Sequence, residues 1–126
     1  MMQDHKNVLG EALEVCSLQP PTGFLREGDC RMPSSDVGRH GVCAQVTQAF
    51  LDFTRSRGND LTTSVPLGGF PGLKPGDRWC LCADRWREAH DKGVAPPVIL
   101  ASTHADVLEW IPLSYLKDHS LDAGPY

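Results

Sequence analysis

Apolar and polar residues alternate along this chain in patterns that predict one strong amphipathic helix and one well-defined strand. The helix spans residues 41–57, where apolar side chains recur three or four positions apart on a single face. Cys43 falls in its first turn, and Gly58 follows as a typical terminator. The strand covers residues 78–83, where larger apolar side chains alternate with two cysteines, so that both thiols project from the same side.

The residues after this strand predict a second helix. Asp84 is suited to cap it, and the helix is expected over residues 85–92. A competing interpretation makes residues 78–92 a single helix. In that helix the two cysteines would point about 200° apart, so their chemistry would not converge. We prefer the strand followed by a helix.

Weaker patterns predict short elements in the rest of the chain. Apolar residues at 98–102 and 107–111 are expected to form two strands of a hairpin, followed by a short final helix at 112–119. Near the N-terminus, short strands are expected at 8–18 and 24–26, on either side of a Pro-Gly turn.

Residues 61–77 contain four glycines and three prolines, a composition that disfavours regular structure. Five apolar side chains in the same stretch favour a loop that docks on the domain over a disordered one. Short antiparallel strands, two main helices and one long Gly/Pro-rich loop predict an α+β fold. A chain of 126 residues has the size of one domain, 1–126, with its ordered core at about 7–119.

Composition excludes two classes of partner. The net charge is −4, and no basic surface is available to neutralise the phosphates of a nucleic acid. No apolar run approaches the ~18 residues that span a bilayer, and the polar residues 1–7 do not resemble a signal peptide. The sequence therefore predicts a cytoplasmic protein with reduced thiols and neither nucleic-acid nor membrane partners. The long loop leaves room for a small-molecule ligand.

Cys80 and Cys82 are the clearest candidates for chemistry, and three interpretations stay open. Free cysteine packs well as a small apolar residue, so both fit a structural role in the core. Two thiols on one face also suit a redox couple, with Cys82 as the resolving partner. They also suit zinc, with Cys43 and His40 completing the site, although zinc-binding pairs typically have a wider spacing and a matching second pair.

Cys43 and His40 form a second candidate pair. The first amides of a helix favour a thiolate at Cys43, and His40 lies one turn earlier, within reach to act as a base. Against this, Cys43 lies on the buried face of the predicted helix, where apolar surroundings disfavour a thiolate. A core cysteine with His40 as a cap or surface group therefore stays an alternative.

Five blocks of the sequence resemble a family of small, mostly bacterial proteins described as a domain of unknown function. The most distinctive block is GLKPGDRWCLCA at residues 72–83, and the resemblance extends over about residues 7–119. The other blocks are NVLGEALEVCSL, DVGRHGVCA, SRGNDLT and VAPPVILASTH. The resemblance implies a compact single domain and brings no activity, substrate or cofactor with it.

One hypothesis for function leads, and it leaves open whether the protein is an enzyme. The residues expected to meet in one pocket beside the long loop are Cys43, Cys80, Cys82 and His40. In an enzyme, Cys43 or Cys80 would be the nucleophile of a thiol-based nucleophilic or redox reaction. His40 would be its base and Cys82 its resolving partner. The alternatives are a binding or interaction protein with a structural zinc ion, or one with purely structural cysteines.

Overall fold

A computed structural model describes residues 5–65, 67 and 70–122 and has an α+β fold, as the sequence predicts. Within these residues, two strands pair antiparallel, and each strand is followed by a helix. The later part of the chain contains two 3₁₀ helices, Leu100–Ser102 and Ala105–Glu109. The strands and α-helices are β1 (Val42–Gln45), α1 (Gln48–Ser56), β2 (Arg78–Leu81), α2 (Ala83–Asp91) and α3 (Leu113–Asp118).

β1 is hydrogen-bonded along both of its edges. On one side it pairs with β2, and Cys43 lies directly opposite Cys80. On the other side the chain runs past at residues 97–99, where the amide of Ile99 donates to the carbonyl oxygen of Cys43 at 2.9 Å. A strand bonded on both edges has its backbone groups satisfied inside the protein, which suits its buried, apolar side chains.

The predicted start of the first helix is wrong. The helix expected over residues 41–57 begins only after Thr47, whose hydroxyl accepts a hydrogen bond from the amide of Phe50 at 3.1 Å. Cys43 lies in β1 instead of the first helical turn. Pairing with β2 outweighs the local helical periodicity here. Gly58 follows the helix with a left-handed φ of 91°, as predicted for its terminator.

The strand predicted at 78–83 is confirmed over Arg78–Leu81, and the alternative of one long helix over 78–92 is wrong. α2 begins two residues earlier than predicted. Its N-cap is therefore Cys82, and Asp84 lies in the first helical turn. This shift places a thiol at the start of the helix.

The hairpin predicted for 98–102 and 107–111 is wrong, because both segments turn into 3₁₀ helices. The carboxylate of Asp122 accepts hydrogen bonds from the amides of Leu100 and Ala101 at 2.7 and 3.0 Å. The Asp122 side chain, more than twenty residues away in sequence, thus accepts the hydrogen bonds that these amides would have donated to a partner strand in a hairpin.

The predictions for the two ends of the chain have different outcomes. α3 confirms the final helix expected at 112–119. The strands expected at 8–18 and 24–26 do not form. That part of the chain makes isolated bridges instead, such as Val15 with Asp29. Across the described part of the chain, no helix combines the length and apolar character needed to span a membrane.

The long loop at 61–77 docks on the domain through three of its five apolar residues, Leu61, Phe70 and Leu73, whereas Val65 and Leu67 are exposed. Leu73 is buried in the main core, and the ring of Phe70 packs edge-on against Trp79 at 5.1 Å between centroids. Two of the loop's glycines, at 68 and 69, lie outside the described residues. The docked parts of the loop bring apolar side chains to the face of β2.

Two disulfide bonds tie the N-terminal segment to the sheet. Cys16 is bonded to Cys43 in β1, and Cys30 is bonded to Cys80 in β2. Four of the five cysteines are therefore oxidised, which differs from the reduced thiols expected from the sequence. Because Cys43 and Cys80 are paired across the strands, the two disulfides share one small buried cluster.

Removing either disulfide is expected to lower the free energy of unfolding, because a cross-link restricts the unfolded chain more when it closes a longer loop. The bonded residues are 27 and 50 positions apart. We expect losses of about 3.5 kcal/mol for Cys16→Ala with Cys43→Ala and about 4 kcal/mol for Cys30→Ala with Cys80→Ala. Urea unfolding under non-reducing conditions measures both. Wild-type stability in either double variant would contradict the pairing.

Candidate thiol site

A cleft of about 320 Å³ lies beside β2. Its apolar wall is formed by Trp79 and by Leu61, Val65 and Phe70 from the long loop. Its polar residues are Arg26, His40, Asn59, Asp60 and Cys82, and Cys80 borders it as well. An apolar wall with a few polar groups is the usual composition of a small-molecule site.

Cys82 is the free thiol of this cleft. All five cysteines lie within the described residues, and the other four are paired in disulfides. The next amide, that of Ala83, donates to the carbonyl oxygen of Arg39 at 3.0 Å, which holds the start of α2 against the loop before β1. The Cys82 side chain makes no capping hydrogen bond to its helix. The first amides of a helix carry partial positive charge, which favours an anionic group at this position.

Asp36 and His40 form a hydrogen-bonded pair. The Asp36 side chain is fully buried, and its Oδ1 accepts a hydrogen bond from Nδ1 of His40 at 2.7 Å. Its Oδ2 accepts from the backbone amide of His40 at 2.8 Å. The turn between them is tight, since a Cβ on Gly38 would lie 2.6 Å from Cε1 of the imidazole. The ring is therefore held in one orientation, with Nε2 left for a second partner.

The thiol of Cys82 lines the same cleft as His40 and is the candidate for that second partner. Its interaction with the ring is the largest influence on the pKa of His40. Together with the Asp36 carboxylate, and against the effect of burial, it raises the pKa of His40 to about 9. At neutral pH the imidazole therefore carries a positive charge.

The structure brings together part of the pocket predicted from the sequence. His40 and Cys82 are in contact, and Cys80 borders the same cleft. Cys43 is fully buried and does not line the cleft. Both predicted nucleophiles, Cys43 and Cys80, are in disulfides and carry no thiol in this structure. The cysteine expected to be the resolving partner is the free one.

Sequence reasoning missed Asp36. The available signal is a carboxylate four residues before His40 in the block DVGRHG, a spacing that no periodicity or catalytic motif marks. Burial is what identifies its role, because a carboxylate removed from water needs hydrogen-bond donors. Both of the donors described here come from His40.

Three buried sulfur atoms form a cluster of their own. The Sγ atoms of Cys16, Cys30 and Cys80 all lie within 4.8 Å of one another. Such a spacing suits a metal ion bound by thiolates, whereas these sulfurs are engaged in disulfides. The cluster shares Cys80 with the zinc ligands expected from the sequence. Zinc binding stays a prediction, and it would require reduction of the disulfides first.

The sequence matches a family described as an uncharacterized protein conserved in bacteria (DUF2237), over residues 6–120. The chain belongs to this family. The matched range contains both strands, the three α-helices and the four disulfide-bonded cysteines of this chain, and the match confirms the resemblance to an uncharacterised bacterial family. No curated protein matches the chain significantly. The description of DUF2237 assigns no activity.

The raised pKa of His40 predicts that stability depends on pH. Folding raises this pKa from 6.5 to about 9, so the stabilisation is complete below the lower value and is lost as the pH rises through the higher one. We expect the free energy of unfolding to fall by on the order of 1–2 kcal/mol over this range, because the one-third exposed ring is partly screened by water. Urea titrations at the two ends of the range measure the loss.

Two variants identify the source of this pH dependence. His40→Gln keeps a hydrogen-bonding side chain without a titrating ring, so its stability should change much less over the same range. Asp36→Asn should show an intermediate loss, because the sulfur of Cys82 still favours the charged ring. The same pH dependence in wild type and His40→Gln would assign the loss to another group.

Proposed function

We propose that the cleft is the active site of an enzyme that uses Cys82 as its nucleophile, His40 to carry the proton and Asp36 as a positioning residue. The observation that carries the proposal is a buried carboxylate hydrogen-bonded to an imidazole that shares its cleft with the free thiol, which is the largest influence on the pKa of that imidazole. A nucleophile, a base and an orienting group in this order is the arrangement that activates cysteine for covalent catalysis.

In the proposed reaction, the proton of the thiol resides on His40, and the Cys82 thiolate attacks the carbonyl carbon of an ester, thioester or amide. A bond forms between sulfur and carbon, the bond to the leaving group breaks, and His40 donates its proton to the leaving group. Water deprotonated by His40 then releases the acyl group as a carboxylic acid and restores the thiol. The amide of Ala83 is taken by Arg39, but the next two amides of the first turn of α2, those of Asp84 and Arg85, suit a developing oxyanion.

The cleft favours a small substrate with an apolar part. Its volume falls at the lower end of the range for small-molecule sites. Trp79 and Phe70 supply an aromatic wall next to the thiol. An acyl group packed on this wall would be held beside Cys82, which lowers the entropic cost of the attack.

A second candidate reaction, thiol–disulfide exchange, is favoured by the position of Cys80 at the same cleft. The Cys82 thiolate would attack Sγ of Cys80, a Cys80–Cys82 disulfide would form, and Cys30 would leave as a thiolate and take up a proton. Disulfide mapping by mass spectrometry after equilibration with glutathione distinguishes the two candidates. Cys82 bonded to Cys80 supports exchange, and Cys82 left free supports acyl transfer.

Alkylation with iodoacetamide tests the activation of Cys82. We expect the wild-type protein to be labelled at Cys82, and at mildly acidic pH to react at least about tenfold faster than His40→Gln, because the charged imidazole stabilises the thiolate. Asp36→Asn should react at an intermediate rate. Peptide mapping by mass spectrometry gives the site and the rate.

Gly38→Ala is the matched control for geometry. It keeps Cys82, His40 and Asp36, but its Cβ would lie 2.6 Å from Cε1 of His40 and displace the ring. We expect it to slow alkylation, whereas Cys82→Ser should abolish it. A wild-type rate in His40→Gln would overturn the assignment of this residue.

A covalent acyl-enzyme separates an enzyme from a merely reactive thiol. With p-nitrophenyl acetate, we expect a burst of nitrophenolate equal to the amount of Cys82, an acetylated Cys82 peptide, and slower turnover afterwards. The burst should be absent in Cys82→Ser. Wild-type protein that gives no burst with this ester or with longer acyl esters would contradict acyl transfer.

A further inference from the structure

Arg26 lines the same cleft as Cys82, and its own turn fixes its position. The backbone amide of Arg26 and its Nη1 both donate to the carbonyl oxygen of Gly23, at 3.0 and 2.9 Å. Arg26 has a left-handed φ of 57°, a conformation that residues with a side chain rarely adopt. Backbone conformations of this kind concentrate at functional sites. The turn therefore holds the guanidinium in place before any ligand binds.

The guanidinium of Arg26 lies over the indole of Trp79, 4.8 Å from the ring centroid. Trp79 is buried and is packed in turn against Phe70. Stacking on an aromatic face orients the flat guanidinium and leaves the N–H groups along its edge, other than the one that Nη1 donates to Gly23, available for hydrogen bonds.

Among the described residues, Arg26 also lacks the acidic partner that most arginines of this chain have. Within residues 5–65, 67 and 70–122, no carboxylate pairs with it. The arginines that do form ion pairs there are Arg31, Arg55, Arg57, Arg85 and Arg87.

Asp60, the acidic residue of the cleft, is engaged by its own neighbours. The hydroxyls of Thr63 and Thr62 donate to its carboxylate and hold its pKa below the usual range. Asp60 therefore keeps its negative charge at the cleft but directs its carboxylate to these threonines, and Arg26 forms no ion pair with a carboxylate of the described residues.

We propose that Arg26, stacked on Trp79, is the binding site for a carboxylate of the substrate whose electrophilic carbon reacts with Cys82. The proposal rests on the function proposed above and narrows its substrates to small acyl compounds that carry a free carboxylate. The geometric reason is that the N–H groups of a guanidinium match the two oxygens of a carboxylate in a fork. The aromatic wall holds the carbon chain between this anchor and the thiol.

Two alkylating reagents of nearly equal size test this inference. Iodoacetate carries a carboxylate and iodoacetamide a neutral amide, and both transfer carbon to the Cys82 sulfur with loss of iodide. We expect Arg26→Gln to lower the iodoacetate rate by about five- to tenfold, the effect of a charge-assisted hydrogen bond that stays partly solvated. The iodoacetamide rate should stay at the wild-type value.

Three further measurements make the result specific. Arg26→Lys keeps the charge without the fork and should lose only part of the iodoacetate rate. Arg55→Gln removes the same charge from an exposed position on α1 and should leave both rates unchanged. Circular dichroism and the melting temperature check that the Arg26 variants stay folded, and Arg26→Lys serves as the folded variant if Arg26→Gln does not.

Each outcome either supports or overturns the carboxylate site. A selective loss of the iodoacetate rate in Arg26→Gln, smaller in Arg26→Lys and absent in Arg55→Gln, supports it. An unchanged ratio of the two rates overturns it, and so does an equal loss with both reagents, which would mean that Arg26 acts on the thiolate itself. Failure of the proposed function gives a different result, because His40→Gln would then leave the iodoacetamide rate unchanged.

Discussion

The register of the short β1–β2 ladder is the constraint on which the rest of the site depends. Val42 is paired with Leu81, so the next position along the ladder sets Gly41 opposite Cys82 and brings His40 to the start of α2. A slip of one residue would turn every side chain of a strand to its other face. The thiol and the imidazole come from segments about forty residues apart, and this pairing is what makes them neighbours.

The disulfides add a third segment to this arrangement. By bonding Cys16 and Cys30 to the two strands, they hold the N-terminal part of the chain against the sheet. The turn that carries Arg26 lies between these two cysteines. Position 23 within this turn has to be glycine, because a Cβ there would clash with the carbonyl oxygen of Asp29. The cleft is thus formed by three segments together: a turn held by disulfides, the end of β2 and the docked loop.

Local sequence patterns predict the reactive residues of the site better than the residues and disulfides that position them. Alternation of larger apolar residues with two cysteines correctly predicts a strand at β2 and makes Cys82 a candidate, although the strand is buried on both faces. His40 became a candidate through its spacing from Cys43, which lies in β1 and in a disulfide. Periodicity fails at β1, where the apolar spacing fits a helix and only the pairing with β2 makes it a strand. The disulfide partners and the burial of Asp36 depend on contacts between distant segments, and a single sequence carries little record of such contacts. Arg26 went unnoticed for the same reason, since its turn places it and no motif marks it.

Position 82 also shows a trade between stability and reactivity. Serine, threonine, aspartate and asparagine are the residues that stabilise a helix from its N-cap, typically by about 1 kcal/mol, through an oxygen that accepts a hydrogen bond from the first turn. A cysteine whose sulfur turns to an imidazole forgoes that stabilisation at the start of α2. Active sites commonly contain residues that lower the stability of the protein but are needed for its activity. Serine at position 82 restores a capping oxygen. The Cys82→Ser variant is therefore expected to be inactive but well folded.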